Sequence, residues 1–155
     1  MGKETLLVSA CLLGLKCRYD GGDKYRPEAV RLMELYDLVP VCPELLGGMP
    51  VPRTPAEIRG GRVVSSDGED RTELFGRGAR LTLELARKFG ARRALLKSGS
   101  PSCGRDAVYD GTFSGRKVAG KGVAAAMLEA AGLTVLQEQD IPALAAEKTD
   151  SQGDL

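Results

Sequence analysis

Histidine is absent from this sequence of 155 residues. Its absence excludes Cys–His and Ser–His–Asp catalysis, and it removes imidazole both as a zinc ligand and as the usual group that titrates near neutral pH. Any general acid must therefore be a carboxylic acid, a lysine, a tyrosine, a thiol or water. Proton transfer in this protein therefore has to use one of those groups.

The sequence also lacks an excess of charge of one sign and any long apolar run. Its 22 lysine and arginine residues balance 21 acidic residues, so no bulk field favours nucleic acid or an anionic membrane surface. Only three residues, 5–7, separate the charged Lys3-Glu4 from a lipoprotein-like box at 8–11. A secretory apolar region needs about 7 to 15 residues and a membrane span about 18. We therefore expect a cytoplasmic protein that makes no contact with a membrane.

The chain contains four cysteines, an even number that permits two disulfides. However, a chain of this length with 43% apolar residues can bury a core without them, and no export signal supports an oxidising compartment. We expect free thiols or metal ligands. The length also predicts a single domain over 1–155, in which about 147–155 form a polar tail.

The order of the apolar segments predicts the fold class. Four short apolar runs are typical of buried strands, at 6–10, 38–41, 94–97 and 133–136. Helical patterns alternate with them, at 27–36, 70–89, 123–131 and 141–147. This order predicts a three-layer, Rossmann-like α/β fold, in which a short, mostly parallel sheet carries helices on both faces.

Smaller features can also be predicted from local spacing. A hairpin is expected at 57–64, around the turn Gly60-Gly61. Val30 and Met33 are expected on the inner face of the helix at 27–36, with Leu32 and Tyr36 as further candidates for that face. The spacing predicts an inner face of the long helix made of Leu74, Gly78, Leu81, Leu85 and Phe89.

Three of the four cysteines follow predicted strands. Cys11 and Cys42 come directly after the first and second strands, and Cys103 lies in the loop after the third. Because the carboxyl ends of parallel strands share one edge of the sheet, where open α/β sheets bind their ligands, we expect these thiols to form one site. The alternative is that each is a small buried hydrophobe.

The spacing of the cysteines bears on the kind of metal they could hold. A zinc site with four sulfurs usually contains paired C-x2-C motifs, and this chain has none. Scattered thiolates suit an iron–sulfur cluster, and a cluster held by three cysteines leaves one iron open as a Lewis acid. Cys17 is then a fourth ligand, a thiol that accepts sulfur or a cysteine that takes no part in the site.

Several motifs, in register over about 5–145, closely resemble one known family. They are Ser9-Ala10-Cys11-Leu12-Leu13-Gly14, Cys17-Arg18-Tyr19-Asp20-Gly21, Cys42-Pro43-Glu44, Ser100-Pro101-Ser102-Cys103-Gly104 and Tyr109-Asp110-Gly111-Thr112-Phe113. The family is that of the bacterial TudS-type thiouracil desulfidases, formerly a domain of unknown function. The resemblance implies a 4Fe-4S enzyme that releases sulfide from thiolated pyrimidines, such as 2-thiouracil, 4-thiouridine or its monophosphate, by hydrolysis without net redox change.

The resemblance also implies roles for individual residues. The cluster ligands would be Cys11, Cys42 and Cys103, with Cys17 left unligated. Glu44 would be the acid–base residue and Ser100 would bond the substrate or the attacking water, although an ordinary surface carboxylate is the alternative for Glu44. Independently of the resemblance, a nucleotide phosphate or the pyrimidine oxygens could be bound by four further side chains, those of Arg18, Arg53, Lys97 and Ser98. Solvated surface charge is the alternative for each of them.

The expected partner is a small thiopyrimidine base or nucleotide. Many family members carry a fused domain and this sequence ends without one, so we do not expect intact tRNA as a substrate. We expect a monomer or a weak dimer. Two rival hypotheses remain open, a cluster-free enzyme that forms a persulfide on Cys103 and a non-catalytic module that binds a metal or a small molecule in the same cleft.

Overall fold

The structure is a computed structural model that describes residues 2–153. In chain order its strands are β1 Glu4–Ser9, β2 Tyr36–Val41, β3 Ala56–Arg59, β4 Arg62–Ser65, β5 Arg93–Leu95, β6 Ala107–Tyr109, β7 Lys117–Ala119 and β8 Thr134–Leu136. Its α-helices are α1 Pro27–Arg31, α2 Pro43–Leu46, α3 Thr72–Phe89, α4 Val123–Ala130 and α5 Ile141–Gly153. Short 3-10 turns cover Ala10–Leu13, Leu32–Glu34 and Glu138–Asp140.

Four strands form a parallel sheet in the order β2-β1-β5-β8. At its centre, Leu7 of β1 pairs with Val39 of β2 and Ala94 of β5. Leu6, Leu7 and Val8 are completely buried, which explains why this strand is a continuous apolar run.

Helices cover both faces of the sheet. On one face, Leu6 and Val8 pack in a cluster with residues of α1 and α5, including Ala29 and Leu144. On the other face, Leu7 packs with residues of α3 and α4. The predicted three-layer α/β fold with a parallel sheet is confirmed.

The long helix buries a different stripe from the one that the spacing of its large residues predicted. Its buried residues are Phe75, Gly78, Ala79, Thr82 and Ala86, so only Gly78 belongs to both sets. The helix packs closely against α2 and α4, and small residues therefore occupy the contact face while Phe89 is exposed. For the first helix the prediction was right in part. Leu32 and Tyr36 are buried as expected, whereas Met33 is 58% exposed and Ala29, which was not predicted, is buried.

Other elements were missed or were predicted too short. The hairpin around Gly60-Gly61 is confirmed as β3–β4, but the antiparallel pair β6–β7 forms inside a segment predicted to be a loop. The last helix continues to Gly153 instead of ending near 147, and ion pairs of Arg93 with Glu147 and of Lys148 with Glu4 hold it against the sheet. The end of the predicted polar tail, 154–155, lies outside the described residues.

None of the helices in the described part of the chain combines the length and the apolar character that crossing a membrane requires.

Two glycines let α2 lie directly against α3. A Cβ atom added to Gly78 of α3 would stand 1.8 Å from the carbonyl oxygen of Pro43, and one added to Gly47 would stand 2.2 Å from the carbonyl oxygen of Leu74. No side chain fits at either position without moving the backbone. Because α2 begins immediately after Cys42, this contact fixes the segment that carries Cys42 and Glu44.

We expect Gly78→Ala to destabilise the protein by about 1–3 kcal/mol or more, because the added methyl group collides with the Pro43 carbonyl group. Gly76→Ala, two residues earlier in the same helix, is the matched control. Its methyl group would meet only the end of the Arg80 side chain, at 3.3 Å, so this variant should gain about 0.5–1 kcal/mol. Urea unfolding followed by circular dichroism measures both, and equal stability of the two variants would contradict the close contact.

Candidate active site

A cleft of about 560 Å³ opens at the carboxyl edge of the parallel sheet. Its walls come from the loops that follow β1, β2 and β5, together with the β6–β7 hairpin. All ten residues that the sequence singled out line this cleft: Cys11, Cys17, Arg18, Cys42, Glu44, Arg53, Lys97, Ser98, Ser100 and Cys103. The predicted convergence of distant segments at this edge is therefore present.

The four cysteines are free thiols that line this cleft. Cys11, Cys17 and Cys103 are buried, whereas Cys42 is half-buried. Cys103 Sγ lies 3.7 Å from the Ser9 hydroxyl oxygen and 3.6 Å from that of Ser102. Cys42 Sγ lies 3.8 Å from the Cys17 carbonyl oxygen. The thiols of Cys17 and Cys42 also bond to each other, so Cys17 belongs to the same group of thiols.

Burial and hydrogen bonding give the thiols very different acidities. Burial raises the pKa of Cys11 to about 11 and that of Cys103 to about 12, because a thiolate is poorly solvated at both positions. The pKa of Cys42 is lowered to about 6, chiefly because the Cys17 thiol donates a hydrogen bond to it, and the Leu45 backbone N–H contributes as well. The pKa of Cys17 is raised correspondingly. Cys42 is the thiol that ionises most easily.

The arrangement of donors restricts the kind of metal group that could bind. Among residues 2–153, no three acidic or cysteine side chains converge closely enough to hold a single metal ion. An iron–sulfur cluster distributes its thiolate ligands over different iron atoms, so its cysteines need only surround a common volume. Sulfur donors around one large cleft, with no histidine in the chain, fit a cluster of this kind.

Glu44 is held in a hydrogen-bonded chain at the side of the cleft. Its Oε1 accepts a hydrogen bond from Arg53 Nε at 3.0 Å, and its Oε2 accepts one from the Ser102 hydroxyl at 3.0 Å. The hydroxyl oxygens of Ser100 and Ser102 are 2.9 Å apart. Ser100 Oγ also accepts the backbone N–H groups of Ser102 and Cys103. Glu44 is thus a largely buried, paired carboxylate that is connected to Ser100 through Ser102.

The guanidinium group of Arg53 donates hydrogen bonds to three residues around the cleft. Besides Glu44, its guanidinium group donates to the carbonyl oxygens of Cys17 and Pro50 at 2.9 and 3.1 Å. Its side chain is only 7% exposed. Arg53 therefore ties the loops after β1 and β2 to Glu44.

Lys97 and Ser98 contact a buried carboxylate that the sequence did not indicate. Glu138 follows β8 and accepts hydrogen bonds from the Ser98 backbone N–H at 2.7 Å and from its hydroxyl at 2.9 Å. Lys97 Nζ lies 3.0 Å from Glu138 Oε2. Because β8 carries no cysteine, nothing in the sequence distinguished Glu138 from a surface carboxylate.

Positive side chains line the mouth of the cleft. Arg18 lies over the ring of Tyr19, and its Nε is 3.8 Å from an exposed Asp20 carboxylate oxygen. Lys117 of the hairpin lies over the Tyr109 ring, 5.3 Å from its centroid, and Lys24 also lines the cleft. Lys24 and Lys117 were missed because their loops could not be placed from sequence spacing.

The fold and this site define a class of protein: a parallel α/β protein whose binding cleft is lined by four thiols and a paired carboxylate. The particular family follows from comparison with known sequences. The sequence model of the 2-thiouracil desulfurase family matches residues 6–140, so the chain belongs to that family. The predicted resemblance is confirmed.

Two individual proteins are similar to this chain. The uncharacterized protein YbbK of Bacillus subtilis (strain 168) is 44% identical over 146 residues, which cover 88% of this chain and 97% of YbbK. The solved structure of the [4Fe-4S]-dependent thiouracil desulfidase TudS superposes with a TM-score of 0.88 at 45% identity. That superposition covers 94% of this chain and 97% of TudS.

In metal-free protein, we expect Cys42 to be alkylated by iodoacetamide faster than the other three cysteines at neutral pH. The reason is that Cys42 is the least buried thiol and that its pKa is lowered to about 6. Its rate should fall as the pH drops through that value, because the reactive thiolate is lost. Cys17→Ala removes the hydrogen-bond donor and should shift the profile to higher pH. Peptide mass spectrometry measures each site, and an unchanged profile in Cys17→Ala would refute the proposed cause.

Proposed function

We propose that this protein is a 4Fe-4S-dependent desulfidase that hydrolyses thiolated pyrimidines and releases sulfide. The observation that carries this proposal is the meeting of three strand-end thiols with the Glu44–Ser102–Ser100 chain in one cleft, in a member of the 2-thiouracil desulfurase family. TudS, the similar protein of known structure, is a [4Fe-4S]-dependent thiouracil desulfidase.

Cys11, Cys42 and Cys103 are the proposed cluster ligands. They come from three separate loops at the same sheet edge, as scattered ligands of a preformed site do. Bound through three cysteines, a 4Fe-4S cluster supplies an iron with a free coordination position that acts as a Lewis acid on a thiocarbonyl sulfur. Cys17 is not needed as a ligand, and its thiol instead stabilises the Cys42 thiolate by hydrogen bonding.

Hydrolysis exchanges the sulfur of a C=S group for the oxygen of one water molecule and needs no net electron transfer. The water must lose its protons as its oxygen bonds to carbon, and the departing sulfur must gain them. Glu44 is the proton acceptor in this proposal, and the hydroxyl groups of Ser102 and Ser100 extend its hydrogen-bonded chain along the cleft. Arg53 keeps the carboxylate in place. No histidine is needed at any step.

The charges around the cleft favour an anionic substrate. Arg18, Lys24 and Lys117 lie at its mouth, where a nucleotide phosphate would meet them. We therefore propose 4-thiouridine monophosphate as a better substrate than 4-thiouridine, with 2-thiouracil also accepted. Glu138 and Ser98 engage Lys97, and protein acceptors engage three of the five N–H groups of Arg53, which supports a positioning role for these two residues.

The cluster-free persulfide hypothesis has less support. A nucleophilic cysteine needs an accessible thiolate, whereas burial raises the pKa of Cys103 to about 12. Cys103 is also one of the three buried cysteines.

Anaerobic reconstitution with iron and sulfide, followed by a sulfide-release assay, tests the proposal. We expect wild-type protein to show the broad visible absorbance of an iron–sulfur cluster and to release sulfide from 2-thiouracil and 4-thiouridine monophosphate. Cys11→Ala, Cys42→Ala and Cys103→Ala should lose both the absorbance and the activity, because each removes a ligand. Cys17→Ala should keep the cluster, although its activity can fall. A colourless protein that is fully active would refute cluster dependence.

Glu44→Gln should lower kcat for sulfide release by about 10²–10⁴-fold, because an amide cannot accept the proton of water. The amide still bonds to Ser102, so the cluster absorbance should be unchanged. Steady-state kinetics on reconstituted protein gives kcat, and the visible spectrum of the same sample is the control. Wild-type kcat in this variant would remove Glu44 from the mechanism.

A further inference from the structure

Glu138 lies behind the cleft wall and contacts two residues that line it. The carboxylate is 7% exposed and belongs to the 3-10 turn Glu138–Asp140 that follows β8. Its Oε1 accepts the backbone N–H of Ser98, and its Oε2 receives both the Ser98 hydroxyl and the Lys97 ammonium group. One buried carboxylate thus fixes two consecutive residues of the loop after β5.

The hydrogen atoms in this group can be counted. The Ser98 hydroxyl has one hydrogen, and it is donated to Glu138 at 2.9 Å. The Lys97 ammonium group has three, directed at Glu138, at the Ser98 carbonyl oxygen at 2.9 Å and at Ser98 Oγ at 3.2 Å. Neither side chain keeps a free donor for a ligand. Ser98 Oγ retains one lone pair, so Ser98 can offer the cleft only an acceptor.

The direction of these hydrogen bonds depends on an ionised Glu138. Burial alone would raise its pKa, but the backbone N–H groups of Glu138 and Ser98 and the Lys97 ammonium group outweigh burial, and the pKa is lowered. The carboxylate is therefore charged at neutral pH and accepts every hydrogen bond it makes. This fixes the Ser98 hydroxyl as a donor toward Glu138.

We infer that Glu138 and Lys97 hold Ser98 Oγ as a hydrogen-bond acceptor for the N3–H group of the thiopyrimidine, which makes Glu138 a positioning residue for substrate selection. This inference rests on the proposed function. N3 lies between C2 and C4, so its N–H is present whether sulfur occupies either carbon and whether or not N1 carries a ribose. A pyrimidine without this hydrogen would bring a second acceptor, or a methyl group, against Ser98 Oγ.

Binding of sulfur-free pyrimidines tests the inference without relying on turnover. Calorimetry on reconstituted wild-type protein should show that uracil and 1-methyluracil bind at least about tenfold more tightly than 3-methyluracil and cytosine, because the last two lack the N3 hydrogen. Equal affinities for uracil and 3-methyluracil, or no binding of any of the four, would overturn it.

Two variants probe the residues themselves. In Glu138→Gln, the amide Nε2 can donate to Ser98 Oγ, which frees the hydroxyl hydrogen for the cleft, so the preference for uracil over cytosine should shrink at least about fivefold or reverse. Ser98→Ala removes the acceptor and leaves Glu138 intact, and it should abolish the preference. Glu129→Gln is the matched control, because Glu129 pairs with Lys121 at 2.9 Å on the surface, and it should retain the wild-type preference. Wild-type selectivity in both Glu138→Gln and Ser98→Ala would overturn the inference.

Sulfide release separates this inference from the proposed function. If wild-type protein releases sulfide from 2-thiouracil and from 3-methyl-2-thiouracil at equal kcat/KM, the proposed function stands and the selection by Ser98 falls. If it releases sulfide from neither but still binds uracil in preference to 3-methyluracil, the proposed function falls and the selection by Ser98 stands. At least about a tenfold lower kcat/KM for the 3-methyl compound supports both.

Discussion

The parallel pairing of β1 with β2 and β5 is the constraint on which the site depends. Ser9 pairs with Val41, and Val8 pairs with Leu95, so these three strands end at nearly the same level. The next residues of each chain segment must therefore enter the same volume. Cys11, Cys42 and Cys103, which are 31 and 61 residues apart along the chain, become neighbours of one cleft because the sheet aligns the loops that carry them.

This constraint explains how much of the structure the sequence could predict. A strand that is covered on both faces is a continuous apolar run. The sequence therefore predicted β1 and the positions of the cysteines after the strands. The buried face of α3 could not be predicted in this way. Its close contacts with other helices require small residues such as Gly78 and Ala79, and residues of this size contribute little to a hydropathy pattern. Likewise Ser102 and Glu138 look like ordinary polar residues until tertiary contacts bury them.

The polar groups around the cleft form two separate, fully paired units. Glu44 is paired with Arg53, and Glu138 with Lys97. In the described part of the chain, no buried side-chain nitrogen or oxygen atom lacks a hydrogen-bond partner. Pairing offsets the cost of taking these charges out of water and fixes their orientation, so the donors and acceptors of the cleft are set before a ligand arrives.

The thiols differ from these carboxylates, because burial keeps two of them uncharged. Burial raises the pKa values of Cys11 and Cys103, so both remain protonated at neutral pH unless a positively charged group takes the place of the protons. Cys42 is the exception, because the Cys17 thiol and the Leu45 backbone N–H stabilise its thiolate. The contact between α2 and α3 through Gly47 and Gly78 holds Cys42 in this position, immediately before α2. Two glycines with no chemistry of their own therefore determine where the most acidic thiol of the cleft lies.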